Sequence, residues 1–212
     1  MTKQETALEA IRRLKKRYPE ATCSLEYKEP YRLLLCTRLA AQCTDIRVNI
    51  VAKELFRVYP TIASLAQADV KDVIEIVRPC GLGNTKGKDL VAICRHLIDD
   101  FDGQVPDTME KLLTLPGVGR KTANLILGDV FHKSAVVTDT HLIRITNRLG
   151  LVSVQNPKQA EMQLRDILPP SESSDFCHRV VHFGRDVCKA RSPQCQKCEL
   201  SDICEAYRLQ LL

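Results

Sequence analysis

Apolar positions recur along this chain at helical rather than strand spacing. Leu90, Ile93, Cys94, Leu97, Ile98 and Phe101 keep the 3.6-residue period and predict a helix that ends before Gly103. Asp45 heads a second run, through Val48, Val51, Ala52, Leu55 and Phe56, that ends before Pro60. Comparable runs cover 32–41, 70–77, 120–130, 142–149 and 158–167, and Leu8, Ile11 and Leu14 share one stripe of an amphipathic N-terminal helix. The strand signal at 135–137 is too short to found a sheet. The pattern predicts an all-α protein. No repeat, low-complexity tract or linker marks a domain boundary.

Composition narrows the class. No apolar run approaches the roughly 20 residues that cross a bilayer, and the first twenty residues lack the apolar core of a signal peptide while carrying three glutamates. The expectation is a cytoplasmic protein, a monomer with no membrane partner. A net charge of +5 leans toward a polyanion. Ten cysteines in a chain without a secretion signal point to metal ligation or buried thiols rather than disulfides. The run Gly81-Leu82-Gly83-Asn84-Thr85-Lys86-Gly87-Lys88 fails as a phosphate-binding loop: the spacing is wrong, no strand precedes it, and Asp89 stands where a magnesium-binding hydroxyl belongs.

Cys188, Cys195, Cys198 and Cys204 form C-x6-C-x2-C-x5-C, four thiolates close enough on irregular chain to enclose a metal centre. Structural zinc ordinarily uses two short-spaced pairs, and only one is present. The wide outer gaps suit a [4Fe–4S] cluster in all-thiolate ligation. Such a cluster with its thiolates carries about −2, lowering the formal +5 to about +3. A nearby DNA-binding surface then needs cations, and Lys189 and Arg191 inside the cysteine loop are the candidates for phosphate contact.

Leu115-Pro116-Gly117-Val118-Gly119-Arg120-Lys121-Thr122-Ala123 joins two helical segments. Its glycines permit a tight turn and a close approach by phosphate, and the second helix opens with the amides and dipole that attract anions. Gly117, Gly119 and Arg120 are therefore candidate DNA contacts. Lys121 lies in the first turn of that helix, where the dipole and any partial burial disfavour its protonation. It reads either as a nucleophilic amine or as a further phosphate-binding cation. Thr138-Asp139-Thr140-His141 precedes another helix; Asp139 is either its N-cap or a carboxylate partner for Lys121, and spacing leaves both open. Arg144 and Arg148 share one face of that helix, available to phosphate or to a salt-bridged surface, and His141 suits a supporting role.

LPGVGRKTA, TDTH and the cysteine spacing, together with Ala41-Gln42-Cys43-Thr44-Asp45 and Gly81-Leu82-Gly83-Asn84-Thr85-Lys86, resemble the endonuclease III family over essentially the whole chain. The resemblance implies two all-α domains flanking a cleft. One is a six-helix domain over 23–134 with a helix–hairpin–helix at about 109–130; the other joins 1–22 to 135–212 and holds the cluster at 188–204. It implies a partner, double-stranded DNA with damaged bases or abasic sites, whose lesion is flipped out of the stack. It implies a bifunctional glycosylase and lyase for oxidised pyrimidines such as thymine glycol. Lys121 matches the nucleophile, Asp139 the catalytic aspartate, and Gln42 and Leu82 the residues that fill the gap left by the flipped base. Within the superfamily, adenine glycosylases lack the lysine and add a C-terminal domain, whereas this chain has Lys121 and stops eight residues after Cys204. A mismatch-specific thymine glycosylase is disfavoured by the same lysine, and a non-catalytic hairpin module is the rival from another class. Thr138 and Gly83 depart from the family pattern, Gly83 with the expectation of a looser wedge loop, and Cys43 has no evident role.

Overall fold

The computed structural model describes residues 1–211, and the regular elements among them are all helical. In chain order they are α1 (Lys3–Arg17), α2 (Pro30–Leu39), α3 (Asp45–Val58), α4 (Ile62–Ala66), α5 (Val70–Val77), α6 (Gly83–Phe101), α7 (Met109–Leu112), α8 (Arg120–Asp129), α9 (Thr140–Arg148), α10 (Pro157–Ile167), α11 (Ser173–Asp186) and α12 (Glu205–Arg208). Short polar side chains start many of them. Thr2 closes a capping box with Glu5, and Thr44, Asp69, Thr108, Asp139 and Asn156 each accept from a first-turn amide. The chain forms two compact units, one of 24–131 and one of 1–23 with 132–212.

In the unit 24–131, α4 and α5 pack on α6, and α2 packs on α6 and α8. Helix α6 begins at Gly83, a full two turns before the periodic run that announced it. Gly83 and Gly87 hide the start, because glycine is a poor helix former and supplies no apolar signal. Packing overrides that preference. A Cβ on Gly87 would lie 2.6 Å from Ile74 Cγ1, so α5 and α6 meet this closely only through glycine.

In the other unit, α11 packs on α9 and on α1. The buried stripe of α1 is Ala7, Ala10, Ile11 and Leu14, whereas Leu8 is 52% exposed and lies off it. Helix α11 buries Phe176, Cys177, Val180 and Phe183. Its period is masked in the sequence by the interleaved His178, Arg179 and His182, and it was not among the expected helices. Arg179 is buried too, and it reaches Glu172 and Asp175 at 3.1 and 2.8 Å. Helix α1 is fastened to the C-terminal third by Arg13, which donates to the Glu199 carbonyl and to Asp202, and by Lys15 to Glu172.

Candidate active site and metal centre

The turn between α7 and α8 is held from beneath. Leu115 and Val118 are buried and anchor it, while Gly117 and Gly119 remain exposed. Gly117 has φ +68°, a region that glycine enters without penalty. Directly under its Cα lies an ion pair: Arg38 Nε donates to Asp89 Oδ2 at 2.7 Å, and Arg38 Nη2 lies 2.6 Å from the same oxygen. A Cβ on Gly117 would sit 2.6 Å from that oxygen. Gly119 is the N-cap of α8 and brings no capping side chain, so no cap side chain competes with an anion for the helix N-terminus. Lys121 is the second residue of α8 and is exposed, so the partial burial allowed for it is not found. Arg120 is half-buried beside it.

Two further loops of the same unit are strained. Gln42, past the end of α2, has φ +56°, and Leu82, before α6, has φ +52°. A left-handed backbone costs a non-glycine residue about 1–2 kcal/mol, so tertiary structure holds both. Gln42 is exposed and does not cap α2, whose C-cap is Ala40. Leu82 is 54% exposed and is not a core residue. Gly83 does not loosen this loop: it is the first residue of α6, where a Cβ would meet Arg78 Cα at 3.1 Å. The Cys43 thiol neighbours that of Cys80, whose ionisation is pushed up to about 11 by burial and then by this neighbour.

Asp139 is the N-cap of α9 and accepts from the Leu142 amide at 2.7 Å. The preceding residues 135–138 are buried, and Cys177 of α11 anchors them by accepting from the Val137 amide at 3.3 Å. The carboxylate is half-buried. The arginines of the same helix do not face outward to phosphate. Arg144 donates to the carbonyls of Gly184 and Cys188 and meets His141 Nδ1 at 3.1 Å. One turn on, Arg148 donates to Cys188 Sγ at 3.2 Å and to the carbonyls of Lys189 and Ala190. Burial draws the Arg144 pKa downward, opposed by its charged neighbours at Cys188 and Asp139. Spacing showed that both arginines share a face but not what that face meets.

All four cysteines of the C-terminal loop line one pocket, with Ile145, Leu149, Phe183 and Leu200 among its apolar walls. Four thiols converging among apolar walls suit all-thiolate ligation of a [4Fe–4S] cluster. The donor set fits as well. The Arg148 guanidinium at Cys188 and the Leu200 amide at Cys198 (3.4 Å) give hydrogen bonds to sulfur, which stabilise anionic thiolates. Lys189 and Arg191 are exposed on the loop.

The comparisons with known proteins agree with this geometry. Residues 35–170 match the HhH-GPD superfamily base excision DNA repair protein, and residues 188–204 match the iron–sulfur binding domain of endonuclease III. An endonuclease III of Synechocystis is 44% identical over 96% of this chain and 93% of its own. A solved non-covalent endonuclease III–DNA complex superposes with a TM-score of 0.92 at 36% identity, covering 100% of this chain and 99% of that one. A trapped endonuclease III–DNA covalent intermediate is equally similar, at a TM-score of 0.92 and 36% identity over the full length of both chains. Helical fold, hairpin, iron–sulfur loop and full-length relatives converge, and the chain belongs to the endonuclease III family.

Proposed function

We propose that this protein removes oxidised pyrimidines, thymine glycol among them, from duplex DNA and then cuts the strand at the abasic site. The observation that carries the reading is an exposed lysine amine on the second residue of a helix whose entry turn is shaped for phosphate. DNA phosphates lie against Gly117, Gly119 and Arg120, with Lys189 and Arg191 adding charge from the cysteine loop. The damaged nucleotide leaves the stack, and Gln42 and Leu82 occupy the gap.

The Lys121 Nζ lone pair attacks the sugar C1′. The C1′–base bond breaks, and the base departs with the bonding electrons and takes up a proton. Loss of the ring oxygen from C1′ gives the Schiff base. A proton is then lost from C2′, and the 3′ phosphate is expelled with its electron pair, which breaks the strand on the 3′ side. Water hydrolyses the imine and restores the amine. Asp139, held by its capping bond to Leu142, assists deprotonation and stabilises the positive charge that develops on the sugar. The [4Fe–4S] cluster, held by Cys188, Cys195, Cys198 and Cys204, supplies structural support for the loop that carries Lys189 and Arg191. The protein works in the cytoplasm on nucleoid DNA; among the described residues no helix is long and apolar enough to cross a membrane.

Borohydride trapping on a duplex with one abasic site or thymine glycol tests this directly. Wild type gives a covalent protein–DNA adduct. Lys121→Gln binds the duplex, gives no adduct, and cuts at least about a thousandfold more slowly. An adduct that persists in the variant removes Lys121 from the nucleophile's place.

A further inference from the structure

Lys86 is completely buried, although nothing in the proposed chemistry uses it. Its Nζ donates two hydrogen bonds, each 2.8 Å, to the carbonyls of Leu39 and Cys80. Leu39 is the last residue of α2, and Cys80 is the last residue of the 3-10 turn Arg78–Cys80. Both acceptors are therefore carbonyls that a helix end leaves without an intrahelical donor, at the end of the peptide dipoles that attracts a cation.

The positions that follow give the arrangement its meaning. Gln42 stands three residues beyond Leu39, and Leu82 stands two beyond Cys80. Both tips have left-handed backbone, a conformation that a loose loop would abandon. One amine thus joins the roots of two loops that are 40 residues apart in sequence.

We propose that Lys86 is a positioning residue for base extrusion, holding Gln42 and Leu82 at a fixed spacing so that both enter the duplex together. The inference rests on the reading of those two residues as gap-filling. Extrusion is demanded in full by an intact damaged base and much less by a site that has already lost its base. Loss of Lys86 therefore lowers base release more than strand cleavage.

The test uses the full-length cluster-bearing protein with Lys86→Met, which keeps the aliphatic stem and removes both hydrogen bonds. Leu82→Ala is run alongside. Single-turnover base release is measured on a thymine glycol duplex, strand cleavage on a preformed abasic duplex, and extrusion by 2-aminopurine fluorescence beside the lesion. All are measured below the thermal transition of each variant. Base release should fall about ten- to a hundredfold, with a clearly smaller fall in strand cleavage and loss of the fluorescence rise. Equal falls in both reactions, or no change in either, overturn the proposal. If Leu82→Ala leaves base release and fluorescence intact, the gap-filling reading fails and takes this inference with it. If Leu82→Ala impairs them and Lys86→Met does not, only the role of Lys86 is wrong. Should Lys86→Met not fold, Lys86→Gln, which keeps an N–H donor, carries the same comparison: a ratio of base release to strand cleavage between wild type and Leu82→Ala supports the proposal, and a wild-type ratio overturns it.

Discussion

The hairpin turn at 116–119 and the cysteine loop at 188–204 are both irregular chain beside a helix, and both present cations, yet they are held in opposite ways. The hairpin is fixed by its own unit: Leu115 and Val118 fill the core beneath it, and the Arg38–Asp89 pair presses against Gly117. The cysteine loop has only the 3-10 turns Cys195–Lys197 and Ser201–Ile203 and depends on long side chains reaching in from elsewhere, Arg13, Arg144 and Arg148. One surface is shaped before any ligand arrives. The other would be completed by the cluster its thiols hold, whose binding would add to the loop's stability.

The largest separation between the two is expected from the ligands. Cys198→Ser should cost more than about 4 kcal/mol of apparent stability and abolish the visible absorption of the cluster; a variant that keeps both would show that the loop stands without its ligands. Gly117→Ala comes next, at about 2–4 kcal/mol, because the φ penalty adds to the clash with Arg38 and Asp89. Gly119→Ala is its control. At φ −103° with open space at its Cβ, it should cost no more than about 1 kcal/mol, the ordinary penalty of alanine at an N-cap, while weakening DNA binding. Equal destabilisation by the two alanines would refute the buttress. Arg148→Met removes a hydrogen bond to Cys188 Sγ and two to carbonyls, and should speed cluster loss to a chelator about 10- to 100-fold, with the hairpin untouched as read by abasic-site binding in the cluster-loaded fraction. The smallest effect is Lys189→Glu with Arg191→Glu, which should weaken DNA binding and flatten its logarithmic salt dependence by about 2; an unchanged slope would leave the loop without a phosphate role.

Much of the helical frame was readable because apolar spacing survives wherever side chains are ordinary, as in α3, α5 and α8. It failed where packing demanded something else. Glycines hid two turns of α6, and buried Arg179 broke the apparent stripe of α11. The site was legible as motifs but not as contacts. Asp139 could be read as a cap from its place before Leu142, and it is one, whereas the targets of Arg144 and Arg148 are carbonyls and a sulfur some 40 residues away, which no local pattern encodes. Lys86 leaves one trace in the sequence: it continues the Leu90, Ile93 and Leu97 stripe one turn earlier, a charged residue on an apolar face.

The fastening of α1 to the C-terminal third also bears on how the chain is made. Residues 24–131 form a contiguous unit and can fold while synthesis continues, but the partners of α1 come after them. At roughly 5–20 residues per second, the ribosome needs about 5–20 s to supply that intervening segment. Through that interval Ala7, Ala10, Ile11 and Leu14 have no core to enter, and the nascent chain presents its N-terminal helix as a sticky surface to chaperones and to neighbouring nascent chains.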